Sequence, residues 1–492
     1  MISFEEFESL ARTFNVIPLV RTTMDDLHTP VSAFLCLHEA GQPAFLFESV
    51  EQDEKIGRYS FVGINPELLL RGRRDGVDVI TRTGRESAVG SIFDVLARYT
   101  ARALQAPAEG VEGFAGGFVG YVGYPAVGHL ERLDLHPPAL DEEDESMFGL
   151  FGSLLRFDHR RHRVTIMHNV SLDGKKPLRQ AYEDGKKAVE ALELKLRRSV
   201  TASRKFTCEI STEEGRNGRE EYCAAVEKAK RYIVEGDIFQ VVLSRRIRVP
   251  YEGDLFPVYR ALRLINPSPY LFYIDMGDTQ LAGSSPEVLV RVIGGTVEVL
   301  PIAGTRPRGK DEEDDRRLAG ELLADQKELA EHVMLVDLGR NDVGRISTAG
   351  SVKVPVFKRV ERYSHVMHIV SEVKGMLREG LSSLDALKAC FPAGTVSGAP
   401  KVRAMQIINE LEPISRGAYA GAVGYIGLNG SLDTCIAIRT VVAHGGKLSI
   451  QVGAGIVADS VPENEFQETA NKSAAMLEAV RVASAGLKMF GE

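Results

Sequence analysis

Cysteine is scarce in this chain of 492 residues and carries no pattern: Cys36, Cys208, Cys223, Cys390 and Cys435 are scattered, odd in number and never spaced as CxxC. Such a set excludes a disulfide framework and a thiolate zinc site and fits small buried side chains. Long hydrophobic runs are also missing, so nothing approaches the length needed to cross a bilayer, and the acidic start (Glu5, Glu6, Glu8) lacks the charged-then-apolar pattern of an export signal. The expected location is the cytoplasm, with no membrane partner. Positive charge is in slight deficit, 60 Lys and Arg against 68 Asp and Glu for a formal charge of −8. This disfavours a broad nucleic-acid surface while allowing a local basic pocket for an anionic small molecule. No fixed-period repeat or low-complexity tract occurs, which excludes solenoids and propellers. Neither GxxxxGKS nor a framed GxGxxG is present, so the glycines between Gly116 and Gly123 read as close strand packing rather than a phosphate loop.

What is present is ordinary core material, 44% hydrophobic and 26% charged, in a chain too long for one core, which predicts two lobes. From residue 2 to about 195, strand-length apolar runs alternate with Gly, Pro and Asp turns, predicting a largely β region with a few helices. A polar, basic stretch over 197–219 reads as a linker. The expected organisation is an N-terminal domain over 1–196 and a second domain over 220–492. Beyond the linker, helices are predicted at 220–234, 256–264, 311–338, 383–390, 400–411 and 463–483. Strands are not followed one-for-one by helices, which favours an α+β fold over a doubly wound one. Its large, mostly antiparallel sheets are expected to pack as a sandwich with helices outside.

The run from Asp325 to Leu338 has helical periodicity (Leu329, Val333, Val336), and its Glu328 and Glu331, three apart, leave the same side of the helix. Glu465 and Glu468 repeat that spacing far along the chain. Two carboxylate pairs on two helices suit a hard cation such as Mg²⁺, although the same spacing is common on solvated faces. Between Pro301 and Gly309, Gly304 and Thr305 offer N–H groups and a hydroxyl, and Arg306 and Arg308 add positive potential. Around Gly394, Thr395 and Ser397, a loop exposes donors ahead of Pro400, at a helix N1 position, where an anion fits. In the strand through Gly453, Ala454 and Gly455, missing side chains would let a ligand lie against the backbone. Arg439, read as part of an apolar strand over 435–442, needs an anionic partner, either a ligand or a buried Glu.

Together these segments resemble one family. PIAGTRPRG, KELAEHxMLxDLxRND, YSxVMHIVS, FPAGTVSGAPKxRAM, GAVGY, CIAIRT, QVGAGIVxDSxPExEFxET and ANKxxA occur in that order from Pro301 to just past Lys472. This set is similar to that of the chorismate-utilising enzymes, and within them to the anthranilate synthase large-subunit branch. The resemblance covers the C-terminal half strongly and the N-terminal half through Phe47-Glu48-Ser49 and the FxGGFxGYxGY stretch. Pro125 departs from the Asp usual after GYxGY, which affects that loop only.

The resemblance implies conversion of chorismate and ammonia to anthranilate and pyruvate, the first committed step toward tryptophan. It implies Mg²⁺ between Glu331 and Glu468, with Glu328 and Glu465 beside it. Arg439 and Tyr419 would hold the enolpyruvyl carboxylate, with Gly453, Ala454, Gly455 and Lys472 completing the anion site and Gly304, Thr305 and Thr395 lining the ring. Departure of the C4 hydroxyl requires a general acid, assigned to Glu328 with its pKa raised by neighbouring carboxylates. His368 is the candidate for the pyruvate-eliminating step, and Thr395 and Glu465 complete the catalytic set. Aminodeoxychorismate synthases carry Lys where this chain has Ala303, so direct attack by ammonia is expected here. Glu48, Ser49, Pro269, Tyr270, Leu271 and Tyr425 would form an inhibitory tryptophan pocket. No Cys-His-Glu glutaminase sequence follows Glu492, so a separate glutamine amidotransferase small subunit is expected as ammonia donor in a hetero-oligomer. A 2-amino-2-deoxyisochorismate synthase stays open as the nearest alternative, as does a catalytically silent binding subunit.

Overall fold

Two antiparallel sheets carry the chain. The computed structural model describes residues 1–24, 27–49, 58–133, 135, 144–198, 205–210, 218–363 and 366–487. One sheet has 11 strands and the other 12, and each runs from strands of the first 200 residues into strands of the remainder. The joins are antiparallel: Ala44–Glu48 pairs with Tyr270–Asp275 in one sheet, and Gly117–Val122 with Ala422–Gly427 in the other. Gly120 and Gly424 face each other across the second join, where an added Cβ would lie 1.9 Å from the Met147 carbonyl oxygen and 2.0 Å from that of Asp433. Close strand packing, as read from the glycines, is therefore what this stretch does.

Strand alternation divides the apolar residues into layers. Phe45, Phe61, Phe114, Phe151 and Phe272 fill the space between the sheets. The outer face of the 11-stranded sheet is covered by helices including Leu178–Leu196, Phe256–Ile265 and Pro462–Ser484, and that of the 12-stranded sheet by Ile92–Arg102, Gln326–Ile346 and Ser383–Cys390. This is the expected α+β sandwich with helices outside. No helix among the described residues is long and apolar enough to cross a membrane.

Several local expectations change. The region 311–338 is two helices: Asp325 ends Glu312–Ala324 and caps Gln326–Ile346, accepting from the backbone N–H of Lys327 at 3.0 Å and Glu328 at 3.2 Å. An Asp with extended backbone satisfies two orphan donors at once, so the chain turns there without glycine or proline. Val333 is 43% exposed; the buried stripe is His332, Leu335, Val336, Val343 and Ile346. His332 bonds the Ser371 hydroxyl at 2.6 Å, and burial pushes its pKa down to about 4, so it packs as a neutral core side chain. The run 435–442 is not one strand either. Leu432–Ile436 lies in the 12-stranded sheet and Thr440–His444 in the other, and the chain crosses between them through Arg439, whose φ of +52° is left-handed. Pro400 is the N-cap of Lys401–Leu411 rather than its first residue. Of the linker read at 197–219, 199–204 and 211–217 lie outside the described residues; Phe206–Thr207 pairs with Glu252–Gly253.

One buried ion pair ties these parts together. The Arg416 guanidinium donates to both Glu412 oxygens (2.8 and 2.6 Å) and to the carbonyls of Val396 and Val242 (2.7 Å each), and it lies 4.8 Å over the Tyr124 ring. Burial alone would lower the guanidinium pKa, but the Glu412 carboxylate reverses the shift and raises it. Glu412→Ala leaves an unpaired buried cation and is expected to lower unfolding free energy by about 3–5 kcal/mol in urea titrations. Glu321→Ala, on an exposed face, leaves the midpoint unchanged.

Candidate active site

Four parts of the fold bring charged groups together. The first is a bulge. The strand Ile302–Pro307 pairs with Val366–Met376, and the register slips between Ala303 and Thr305, leaving Gly304 as the extra residue with φ of +66°. The bulge turns the Gly304 carbonyl toward His368, whose Nδ1 lies 2.8 Å from it and 3.1 Å from the Thr305 hydroxyl. A carbonyl only accepts, so Nδ1 carries the proton and Nε2 keeps its lone pair. Burial lowers the His368 pKa, which keeps the ring neutral near pH 7.

The second part is the capped helix Gln326–Ile346. Glu328 lies against the bulge, its Oε2 3.2 Å from where a Gly304 Cβ would stand. Arg306 pairs with both Glu328 (3.3 Å) and Asp325 (2.8 Å), while Arg308 is held by Asp315. The arginines expected to add free positive potential are thus committed to carboxylates. Burial and the neighbouring Glu328 raise the Glu331 pKa; Gln240, which hydrogen-bonds it, opposes the rise, and Glu468 adds to it.

The third part is the strand Lys447–Ile456 with the helix Pro462–Ser484 behind it. The spaces beside Gly453 and Gly455 are not open: the Tyr419 hydroxyl and the Gln240 Nε2 each lie 2.7 Å from where a Cβ would be. The missing side chains leave room for these two polar groups against the strand. Ala454, one residue out of phase, is fully buried. Lys472 donates to the Gly453 carbonyl at 3.0 Å and pairs with Glu468, one turn earlier on its helix. Burial and Glu468 raise the Glu465 pKa, against a hydrogen bond from Ser460.

The fourth part is the crossing between sheets. Arg439 is held by its carbonyl, which accepts from the Ser284 N–H at 3.1 Å, and its left-handed backbone stores strain. Burial lowers its guanidinium pKa while Tyr419, Glu287 and Glu468 raise it. Burial raises the Tyr419 pKa to about 12, so the phenol stays protonated and can donate. Glu287 follows Ser285 and Pro286 at a strand end; burial raises its carboxyl pKa to about 7, against the pull of Thr395, Arg439 and Lys472. The Thr395 hydroxyl is buried beside it and closes no full hydrogen bond with a described residue.

Glu287 and Gln240 were missed by sequence reasoning. Glu287 directly follows Pro286 and precedes the apolar run Val288-Leu289-Val290, and Gln240 directly precedes the apolar run Val241-Val242-Leu243, so a polar residue at the mouth of an apolar run was the available signal. Their partners, Thr395 with Arg439 and Glu331 with Gly455, are distant in sequence.

No cluster of three or more His, Cys, Asp or Glu side chains that could hold a metal ion is found among the described residues. Yet burial raises the pKa values of Glu331 and Glu465, and nearby carboxylates raise them further, Glu328 and Glu468 for Glu331 and Glu468 for Glu465. That excess of negative charge fits a divalent cation that takes one or two protein carboxylates and completes its shell with water and ligand oxygens, the habit of Mg²⁺.

A cavity of about 460 Å³ lies elsewhere between the sheets, and Glu48, Ser49, Pro269, Tyr270, Leu271 and Tyr425 all line it. Tyr425 stacks on Phe114 with centroids 4.3 Å apart. Tyr270 donates to Asp433 at 2.6 Å and accepts from Arg291 at 2.8 Å. Glu48 is already engaged, accepting from the Tyr259 hydroxyl at 2.6 Å and pairing with Arg263 at 3.0 Å. The Ser49 hydroxyl is buried without a partner among the described residues.

Comparison with known proteins agrees with this geometry. The sequence profile of chorismate binding enzymes matches residues 42–478. The chain is 43% identical to anthranilate synthase component 1 of Acetivibrio thermocellus, over 98% of both chains. It is 45% identical to that of Pseudomonas putida, over 97% of this chain and 98% of the other. Among solved structures, anthranilate synthase component I from Streptococcus pneumoniae superposes with a TM-score of 0.75 at 35% identity, covering 93% of this chain and 99% of that one. With one connected matrix of carboxylates, cations and glycines and a profile match across most of its length, the chain belongs to the chorismate binding enzyme family.

Proposed function

We propose that this chain is the large subunit of an anthranilate synthase, converting chorismate and ammonia to anthranilate, pyruvate and water. The observation that carries the reading is the convergence of Arg439, Lys472, Thr395 and Glu287 opposite two carboxylate pairs. It complements a dianion that must lose a hydroxyl group and then an enolpyruvyl group. Arg439 and the Tyr419 hydroxyl hold the enolpyruvyl carboxylate, with Lys472 and the backbone around Gly453 and Gly455 beside them. Glu331 and Glu468 hold Mg²⁺, which when bound neutralises the ring carboxylate and these glutamates. Ala303 offers no amine, so ammonia itself attacks C2.

The C4 hydroxyl leaves as water once protonated. Glu328 was the expected donor, but its carboxylate is paired with Arg306, whereas burial raises the Glu287 carboxyl pKa to about 7. Glu287 is therefore the donor we favour. Proton loss from C2 and departure of the enolpyruvyl oxygen complete the aromatic ring, and the Nε2 lone pair of neutral His368 assists that second stage. Ammonia comes from a glutamine amidotransferase small subunit in the cytoplasm, and the 460 Å³ cavity takes tryptophan as inhibitor, its unpaired Ser49 hydroxyl bonding the ligand. A 2-amino-2-deoxyisochorismate synthase shares every step up to pyruvate loss.

With chorismate, Mg²⁺ and ammonium, fluorescent anthranilate and pyruvate should form in equal amounts; an amino product without pyruvate selects the second reading. Glu287→Gln should lower kcat by about 10²–10⁴. Corrected for free ammonia, the rate of the parent enzyme should fall as pH rises through about 7, because the protonated carboxyl is the active form. A larger loss for Glu328→Gln, with the falling limb intact in Glu287→Gln, would return the role to Glu328. Chelation by EDTA should abolish turnover, and Glu468→Gln should raise the Mg²⁺ concentration for half-maximal rate about tenfold or more; unchanged dependence rejects that ligand. Tryptophan should inhibit, and Ser49→Ala should weaken inhibition about tenfold. Insensitivity of the parent enzyme to saturating tryptophan rejects the site.

A further inference from the structure

Arg263 serves two places. Its Nε pairs with Glu48 at the edge of the 460 Å³ cavity, and the same side chain lines a separate cavity of about 340 Å³. This second space lies between the helices Phe256–Ile265 and Pro462–Ser484 and the start of Pro30–Leu37. Its apolar wall is aliphatic: Val31, Leu264, Ile265, Val482 and Leu487. Leu264 on this wall is 61% exposed.

The polar wall has opposite charges on it. Glu478 accepts from Arg481 through Oε2 at 3.3 Å, but its Oε1 is buried and has no partner among the described residues. A carboxylate oxygen withdrawn from water without a donor is costly, and such atoms in folded proteins are normally completed by a water or a ligand. Arg260 and the Nη groups of Arg263, on the same cavity, donate to no described residue. The volume lies in the range of small-molecule sites.

We propose that this cavity binds a free α-amino acid with an aliphatic side chain. The ammonium meets Glu478 Oε1, the carboxylate meets Arg260 and Arg263, and the side chain lies against Val31, Leu264 and Val482. Because the same Arg263 guanidinium holds Glu48, occupancy alters the ion pair at the edge of the larger cavity.

The probe is L-leucine, titrated into the full chain and followed by saturation-transfer NMR and thermal unfolding. Saturable binding is expected, with a rise in Tm of about 2 °C at saturation. 4-Methylpentanoate lacks the ammonium and 3-methylbutylamine lacks the carboxylate; each should bind about tenfold or more weakly, the loss of one charge-assisted contact. Glu478→Gln and Arg260→Ala, each checked by circular dichroism for an unchanged fold, should weaken L-leucine to the same extent. Absence of saturable L-leucine binding, or equal binding by both folded variants and the parent chain, overturns the proposal and leaves a hydrated gap.

Discussion

The candidate site depends on a cation buried behind it. Arg416 is buried, and a buried guanidinium is tolerable only when its donors are all engaged and a carboxylate lies beside it. Glu412 supplies the charge, and the carbonyls of Val396 and Val242 supply the remaining acceptors. Each acceptor belongs to a different functional part: Val396 follows Thr395, and Val242 lies opposite Gly455 in the neighbouring strand. Glu412 in turn accepts from the Ser244 N–H at 2.7 Å, fixing the strand that faces Gly453. The guanidinium also lies 5.6 Å over the Tyr419 ring. One desolvated pair thus sets the relative positions of the Thr395 loop, the glycine strand and the phenol between them.

Around that frame, burial separates the carboxylates by role. Glu412 is saturated with donors and is structural. Glu328 is shared with Arg306. Glu331 and Glu465 are raised by burial and by the acidic groups near them, and Glu287 is raised furthest toward neutrality while cations stand close by. The same residue type is therefore held as a saturated structural partner, as one half of a pair with arginine, or as a carboxyl pushed toward its protonated form, depending on its distance from water and from arginine.

Much of this was legible in the residues. The helix carrying Glu328 and Glu331, its partner at 465–468 and the sandwich architecture follow from periodicity, spacing and turn chemistry, which are local. What was not legible depends on partners remote in sequence. Arg439 reads as a strand residue because its neighbours are apolar; only the two sheets reveal that the chain must cross there with a left-handed residue. The break at Asp325 was readable as an N-cap, but helix periodicity on both sides masked it. That Tyr419 and Gln240 stand beside Gly453 and Gly455 was not legible either, because both come from elsewhere in the chain.

The crossing at Arg439 also limits how the chain can vary. Asp433 and Cys435 form part of the wall of the 460 Å³ cavity, and four residues after Cys435 the same peptide places the strained Arg439 near Tyr419, Glu287 and Glu468 in the candidate site. A change that reshapes this wall also shifts the guanidinium. Ser49 and the Pro269–Leu271 segment border the same cavity without that continuity. The Leu432–Arg439 peptide therefore answers to two sets of contacts at once, the cavity wall at Asp433 and Cys435 and the charged groups around Arg439.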